Sequence, residues 1–549
     1  MSLHNYVLLL GAVALCALPA RAETYYVATD GDDASGDGSP DRPWATIDHA
    51  VDNGITAGGG HTVVVRDGVY EGSTTISRGF PELVVVQAEN LYQVLLTNTT
   101  GTEDVLRVYV DGSANLRFEG FLFTNDDPSY TCSGRETSYV IHLQDVSDIT
   151  LANNVIFGNT AAGRCNELLK INRSHDAAYP RQVVIRGNLF YDQVNAGGAD
   201  MIDAVRAGEI EIVENVFWGE PTHTESQSFI TLKRQAPAVA ETSSPRFMVR
   251  RNVFMNYGGA TDQAFVQFGE DGDAEIMLSD ALVENNLIIG NSPAQMAAPF
   301  QFKGAQNVVV RANTIVGDLP GGSYGFRIGT EGDNPPVSGF EIYNNIWADP
   351  TGTMGTRLIN TYGDVDVSSI TLDRNLYFNA GNALPTDGSV TPADDAHQVV
   401  GDPLLNTDHA AIAMPRWDPD ADAFPSGSPT IRDEFLLLVE TYGALAEGSV
   451  AVGAADPAHM PADDIRGLLR DEQPDLGAYE LSASTLAPDA GPAGYGGSAG
   501  SGSGGAGTGD GGAADSGGCS CRVGERKRSG PSCAMLLAGL LVLSRRRLR

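Results

Sequence analysis

The middle of the chain repeats one phrase of apolar and polar positions: an alternating apolar strand, an asparagine, then two or three apolar residues. It recurs as ITLANNVIF, VVIRGNLFY, IEIVENVFW, FMVRRNVFM, ALVENNLII, VVVRANTIV, FEIYNNIWA and ITLDRNLYF, aligning Asn154, Asn188, Asn215, Asn252, Asn286, Asn313, Asn345 and Asn375. The asparagines are spaced by 34, 27, 37, 34, 27, 32 and 30 residues, and LRFEGFLF puts Gly120 another 34 residues earlier. A constant phrase at an irregular period means one structural unit per period with loops of variable length, as a solenoid allows. Between phrases lies a second alternating run, such as YVIHLQD, LLKINR, MIDAVR, FITLKR, APFQFKG and GFRIGTE. No segment of the body has a convincing helical period. The pattern therefore predicts an all-β, three-sheet solenoid with three short parallel strands per turn. The asparagine falls at a bend between two strands. There its side chain tolerates left-handed backbone and bonds to the asparagine one coil away, making an internal ladder.

Strand alternation separates the faces of the second run. Ile141/Leu143, Leu169/Ile171, Ile202/Ala204, Ile230/Leu232, Val266/Phe268, Phe300/Phe302 and Phe326/Ile328 point inward. His142, Lys170, Asp203, Thr231, Gln267, Gln301 and Arg327 form an outward column, and Gln144, Asn172, Val205, Lys233, Gly269, Lys303 and Gly329 a second one.

Composition supports a folded middle and marks off both ends. The chain has 549 residues, 42% hydrophobic and 19% charged, enough for a sizeable core. Residues 1–22 carry an apolar run, Val7 to Leu18, and then Ala20-Arg21-Ala22, the small-x-small pattern of a signal peptide, so export is expected. Residues 23–481 form the expected solenoid domain. Residues 482–518, rich in Gly, Ser and Ala, read as a flexible linker. Residues 519–549 combine Cys519-Ser520-Cys521, a short apolar run and an arginine-rich end, which the positive-inside rule keeps cytoplasmic. Without signal and tail, 26 basic residues face 69 acidic ones, a net charge of −43 that repels nucleic acid and bulk polyanions. Only Cys132 and Cys165 fall in the body, and they are the expected disulfide of an oxidising compartment.

Two resemblances extend this reading. YYVATDGDDASGDGSPDRPWATIDHAVDNG followed by TVVVRDGVYEG resembles the opening of pectate-lyase-like right-handed parallel β-helix proteins, and GDPLL (401–405), SPTIRD (428–433) and PDLGAYE (474–480) resemble their closing segment. The resemblance implies a cap over residues 24–75 with a short helix near Trp44 to Asn53, and a closing segment over 400–481. It also implies that a substrate groove runs along the YVIHLQD-type strands. The tail resembles the C-terminal sorting tail of myxobacterial surface proteins (MYXO-CTERM). That likeness implies processing by a sorting protease at Cys519, passage through the membrane before processing, and retention at the cell surface.

The body has only three lysines, Lys170, Lys233 and Lys303, all on the outward side of that sheet. They predict a local cationic strip suited to a carboxylated polysaccharide. If the chain is a polyuronate lyase, Lys170 and Lys233 are the candidates for base or carboxylate clamp and His142 for proton relay. Asn172, Gln267, Gln301, Lys303 and Arg327 would contact substrate. Glu167, Asp200 and Asp203 offer hard oxygen ligands for calcium. Plainer readings stand beside these: Lys170 and Asp203 as a cross-strand ion pair, Asp200 as a loop cap, and Asp30, Asp32, Asp33 and Asp37 as turn residues rather than a calcium staple. The 165–170 segment matches the acidic-then-lysine strand of chondroitinase-B and alginate lyases only in part, and the downstream arginine-histidine-glycine motif is absent. The Asn-Thr-Asp, Asp-Asp and Gly-His-Gly set of polygalacturonases is also missing, which makes a hydrolase the weaker enzymatic option. The alternative is a non-catalytic, monomeric surface adhesin or glycan-binding β-helix.

Overall fold

The computed structural model describes residues 22–56, 58–98, 104–125, 139–158, 167–174, 177–191, 200–219, 228–236, 245–270, 272–317 and 325–482. Cys132, Cys165, Cys519, the linker after Ser482, the tail and nearly all of the signal segment lie outside them.

The described chain winds as a right-handed parallel β-helix. Each coil contributes a strand to each of three ladders, and all pairings between named strands are parallel. The first ladder contains Leu169–Asn172, Ile202–Val205, Ile230–Lys233, Val266–Phe268, Phe300–Lys303, Phe326–Gly329 and Ile359–Tyr362. The second contains Val183–Arg186, Ile210–Val213, Phe247–Arg250 and their successors, and the third Leu189–Tyr191, Val216–Trp218, Val253–Met255 and theirs. The first two ladders join into one 20-stranded sheet because Leu106–Glu119 and Ile141–Ala152 run unbroken around the corner between them; the third is a separate 12-stranded sheet. Inward side chains stack on their own kind, as in Phe190, Phe217 and Phe254, whose rings lie parallel 4.9 Å apart.

The asparagine ladder sits at the bend between the second and third sheets. In each step an asparagine Oδ1 accepts from the backbone N–H and Nδ2 of the asparagine one coil earlier; for Asn252 these bonds, from Asn215, are both 3.0 Å. Asn154 begins the run beside Gly120, and at the far end Asn375 donates to Asp395. The ladder asparagines themselves do not take the left-handed conformation. The residue before each one does: Asn153, Gly187, Glu214, Arg251, Asn285, Ala312, Asn344 and Arg374 all have φ between 53° and 63°. That residue turns the chain so that the asparagine side chain enters the core.

The N-terminal cap is a single α turn, Ile47–His49, continued by a wider turn, Ala50–Gly54. The nearby aspartates act as turn caps. Asp33 accepts from Ala45 N at 2.7 Å and Asp32 from Ala34 N at 2.8 Å, while Asp37 pairs with Arg42 at 3.0 Å. These bonds give Asp32, Asp33 and Asp37 local turn roles.

One helix went unseen in the sequence. Ile431–Leu438 is α-helical, capped by Thr430, with Ile431, Phe435 and Leu438 on one buried face. This face packs the C-terminal segment onto the outer surface of the third sheet, against residues such as Val216, Val253 and Leu287. Fully buried Arg251 pairs with Asp463 of that segment and, at 3.2 Å, with Glu214. The third sheet is thus covered, and the first is left to carry polar side chains.

Candidate functional site

Strand register fixes the outward column of the first sheet. Arg107 pairs with His142, His142 with Lys170, Lys170 with Asp203, Asp203 with Thr231, Thr231 with Gln267, Gln267 with Gln301, and Gln301 with Arg327. Asn172 and Lys233 occupy the second column, two residues further along their strands.

At the centre, Lys170 lies between two carboxyl groups. It is paired with Asp203, and its Nζ is 3.4 Å from Glu167 Oε1. Lys233 is 3.8 Å from the other oxygen of Asp203 and is paired with Glu270. Side-chain exposure here is low, 12% for Lys170 and 5% for Asp203, so the charges act on one another with little screening. Burial, reinforced by the negative charge of Asp203, pushes the Glu167 carboxyl up to about 7. Burial and then Asp203 and Glu270 raise Asp200 well above the usual carboxylate range. Glu167 Oε2 and Asp200 Oδ1 are buried with no hydrogen-bond partner among the described residues, which fits groups that hold protons.

These surroundings correct two expectations. Burial pulls both ammonium groups down, but Asp203 with Glu167 outweighs it at Lys170, and Asp203 with Glu270 at Lys233. Both lysines end above the ordinary value, so neither is poised as a base. The strip is also not cationic, because each of the three lysines among the described residues has a carboxylate partner, including Lys303 with Glu331 at 3.2 Å. Glu167, Asp200 and Asp203 do come together, yet no three His, Cys, Asp or Glu side chains among the described residues are arranged to hold a metal ion. The positive charge among these carboxylates comes from the two lysines.

One coil earlier, His142 Nδ1 is 3.0 Å from Asp104 Oδ2 and its Nε2 is 3.1 Å from Asn172 Oδ1. A carboxylate only accepts, so Asp104 fixes a proton on Nδ1. Tyr139 packs its ring edge-on to the imidazole at 4.8 Å and also lies beneath Lys170 at 5.8 Å. Asn172 therefore positions His142 rather than standing free for substrate.

On the other side, Gln267 and Gln301 have no exposed surface, and Lys303 has 6%. Gln301 donates to Gln267 at 2.8 Å, and Arg327 donates to Gln301 at 3.1 Å while stacking on Tyr362 at 4.4 Å. The two glutamines form a covered amide ladder and not a ligand surface, which corrects their expected contact with substrate; Arg327 is half-buried at its end. Asp104, Arg107, Tyr139 and Glu270 join the site unpredicted. Arg107 was available from the alternation of LRVYV and Tyr139 opens the run YVIHLQD, whereas Asp104 and Glu270 lie off the strands, where no period marks them.

A separate cavity of about 450 Å³ lies over the second sheet, between Leu282, Val309, Arg311, Glu341 and Thr371. Its Arg311 belongs to an ion-pair ladder with Glu284 at 2.8 Å, whereas Glu167 and Asp200 lie beside the first sheet.

No protein-family model and no curated protein matches the sequence. Among solved structures, the chain is similar to pectate lyase Pel9A (13% identity over 83% of this chain and 96% of the other, TM-score 0.46). It is also similar to XylC in complex with xylose (11%, 84% and 99%, TM-score 0.43) and to an alginate lyase from Paenibacillus sp. str. FPU-7 (13%, 66% and 99%, TM-score 0.39).

Proposed function

We propose that this chain is an exported, surface-held enzyme that cleaves a carboxylated polysaccharide by β-elimination at the first sheet. The observation that carries the reading is the Glu167–Lys170–Asp203–Lys233 cluster. β-Elimination removes the proton α to a uronate carboxylate, which needs a base of suitable strength, a positive charge to stabilise the developing enolate, and an acid for the leaving oxygen. Glu167, with its carboxyl near 7, takes the base role first assigned to a lysine. Lys170 and Lys233 clamp the substrate carboxylate, and His142, which donates from Nδ1 to Asp104 and from Nε2 to Asn172 Oδ1, gives its Nε2 proton to the leaving oxygen while Glu167 takes the α proton. The lysines favour elimination over two-carboxylate hydrolysis, which has no use for a paired ammonium clamp.

The test is incubation with polygalacturonate, alginate and chondroitin, following the ultraviolet absorbance of unsaturated uronate. Wild type should form product and Glu167→Gln should not. A second reading, non-catalytic glycan binding, is favoured by the pairing of every body lysine with a carboxylate at rest. Binding without product on any of the three polymers would select it.

A further inference from the structure

We infer that the groove over the second sheet binds an uncharged polysaccharide, independently of the cluster on the first sheet. The groove has a volume of about 450 Å³ and crosses four coils, from Asp280 through Asn307 and Gly339 to Ser369. Three steps between coils give it a length of about 14 Å, the scale of a short oligosaccharide. The bends that flank the second sheet in these four coils fall within the described residues, apart from residue 271.

The floor is aliphatic and the rim polar. Leu282 and Val309 are register partners in the outward column of the second sheet, and both are half-buried. Glu341 and Thr371 continue the column and are exposed. Asn307 stands at the bend beside them, also exposed, with a φ of 53°. Gly339, one coil on, leaves it room, since a Cβ there would lie 2.9 Å from Asn307 Oδ1. The side chains of Asn307, Glu341 and Thr371 make no hydrogen bond or ion pair among the described residues. Across the groove, Arg311 is held by Glu284, which lies 2.9 Å from Nε and 2.8 Å from Nη2. Tyr343, the register partner of Arg311, packs against His459 of the C-terminal segment with ring centroids 4.2 Å apart, so that segment flanks this side.

Charge and backbone pairing select the occupant. Glu284 neutralises Arg311, whereas Asp280 and Glu341 form no ion pair among the described residues. The groove therefore repels the carboxylated polymer assigned to the first sheet. A peptide strand would find no backbone partners, because the strands beneath pair in parallel with a neighbour on each side and present only side chains outward. A neutral sugar chain suffers from neither difficulty. Its C–H faces rest on Leu282 and Val309, and its hydroxyls, which both donate and accept, bond to the Glu341 carboxylate, the Asn307 amide and the Thr371 hydroxyl.

Affinity electrophoresis tests this, with the full chain run through native gels containing arabinoxylan, galactomannan or laminarin, and polygalacturonate as the charged comparison. At least one neutral polymer should retard the protein. Glu341→Ala should weaken that binding about tenfold or more, and Asn307→Gly, which suits the positive φ, should weaken it as well. Both variants should keep the wild-type melting temperature, and Lys170→Ala should leave the retardation unchanged. Retardation by none of the neutral polymers would overturn the inference. So would retardation that Lys170→Ala abolishes but Glu341→Ala and Asn307→Gly preserve, which would place neutral-sugar binding on the first sheet. Tighter binding of a lysine-rich peptide than of any neutral polymer, lost in Glu341→Ala, would assign the groove to a cationic partner instead. Formation of unsaturated uronate is read separately, so the cleavage reading stands or falls on its own.

Discussion

Asp395 accepts a 2.8 Å hydrogen bond from Asn375 Nδ2, and with it ends the asparagine ladder that runs through the helix. The same carboxylate accepts from the backbone N–H groups of Asn375, Arg374 and His397 and from the Tyr377 hydroxyl. Asp395→Ala leaves several buried donors without an acceptor, and at about 1–3 kcal/mol for each unsatisfied group the fold should lose about 3 kcal/mol or more. Asp395→Asn keeps an acceptor oxygen and should lose less. Chemical denaturation of the two variants measures the difference.

The ladder interior makes a second prediction. Asn252→Leu removes the acceptor of two Asn215 donors and the donor for the carbonyls of Ile212 and Arg250. A loss of about 3 kcal/mol is expected. A variant as stable as wild type would mean that neighbouring bonds rearrange to replace the ladder.

The repeat and the outward column were legible in the sequence because both follow from period. Eight asparagines mark the bends, and the alternation of ITLK or FQFK separates inward from outward without reference to a fold. The left-handed residue was displaced by one because Glu214, Arg251, Ala312 and Arg374 carry no sign of that backbone; Gly187, Asn153, Asn285 and Asn344 hint at it. The site was legible by column and not by charge. Asp104 and Glu270 come from loops, and it is such loop carboxylates that turn the expected cationic strip into a set of ion pairs. Gln267 and Gln301 are fully buried although they stand in the outward column. Strand alternation carries no information about that cover.

Arg251 tests the attachment of the C-terminal segment. Its guanidinium is fully buried against Asp463 and Glu214, so Arg251→Ala removes a buried positive charge from between the helix and the C-terminal segment, although Glu214 keeps Arg186 at 3.7 Å. The cost should be about 3–5 kcal/mol. The segment should also become accessible to protease before the rest of the helix, which limited proteolysis and mass analysis can follow. Cleavage that begins elsewhere would argue against this latch.

Glu167 links stability to pH. Its ordinary value is 4.5 and burial raises it to about 7 in the folded protein, so folding takes up a proton between these values. The stabilising contribution is complete below about 4.5 and is lost as pH rises through about 7. Buried Asp200 acts in the same direction. Melting temperature should therefore fall across this window, and Glu167→Gln should flatten part of the fall. If Glu167 is the base, kcat/KM should rise through the same window in which stability declines.

The most direct test compares wild type with Glu167→Gln, Lys170→Ala and Lys233→Ala on polygalacturonate, alginate and chondroitin, reading unsaturated uronate by ultraviolet absorbance. The site as described predicts product from wild type and a loss of about 100-fold or more on removing the Glu167 carboxylate. Product formed at the wild-type rate by Glu167→Gln, or by both lysine variants, would contradict it.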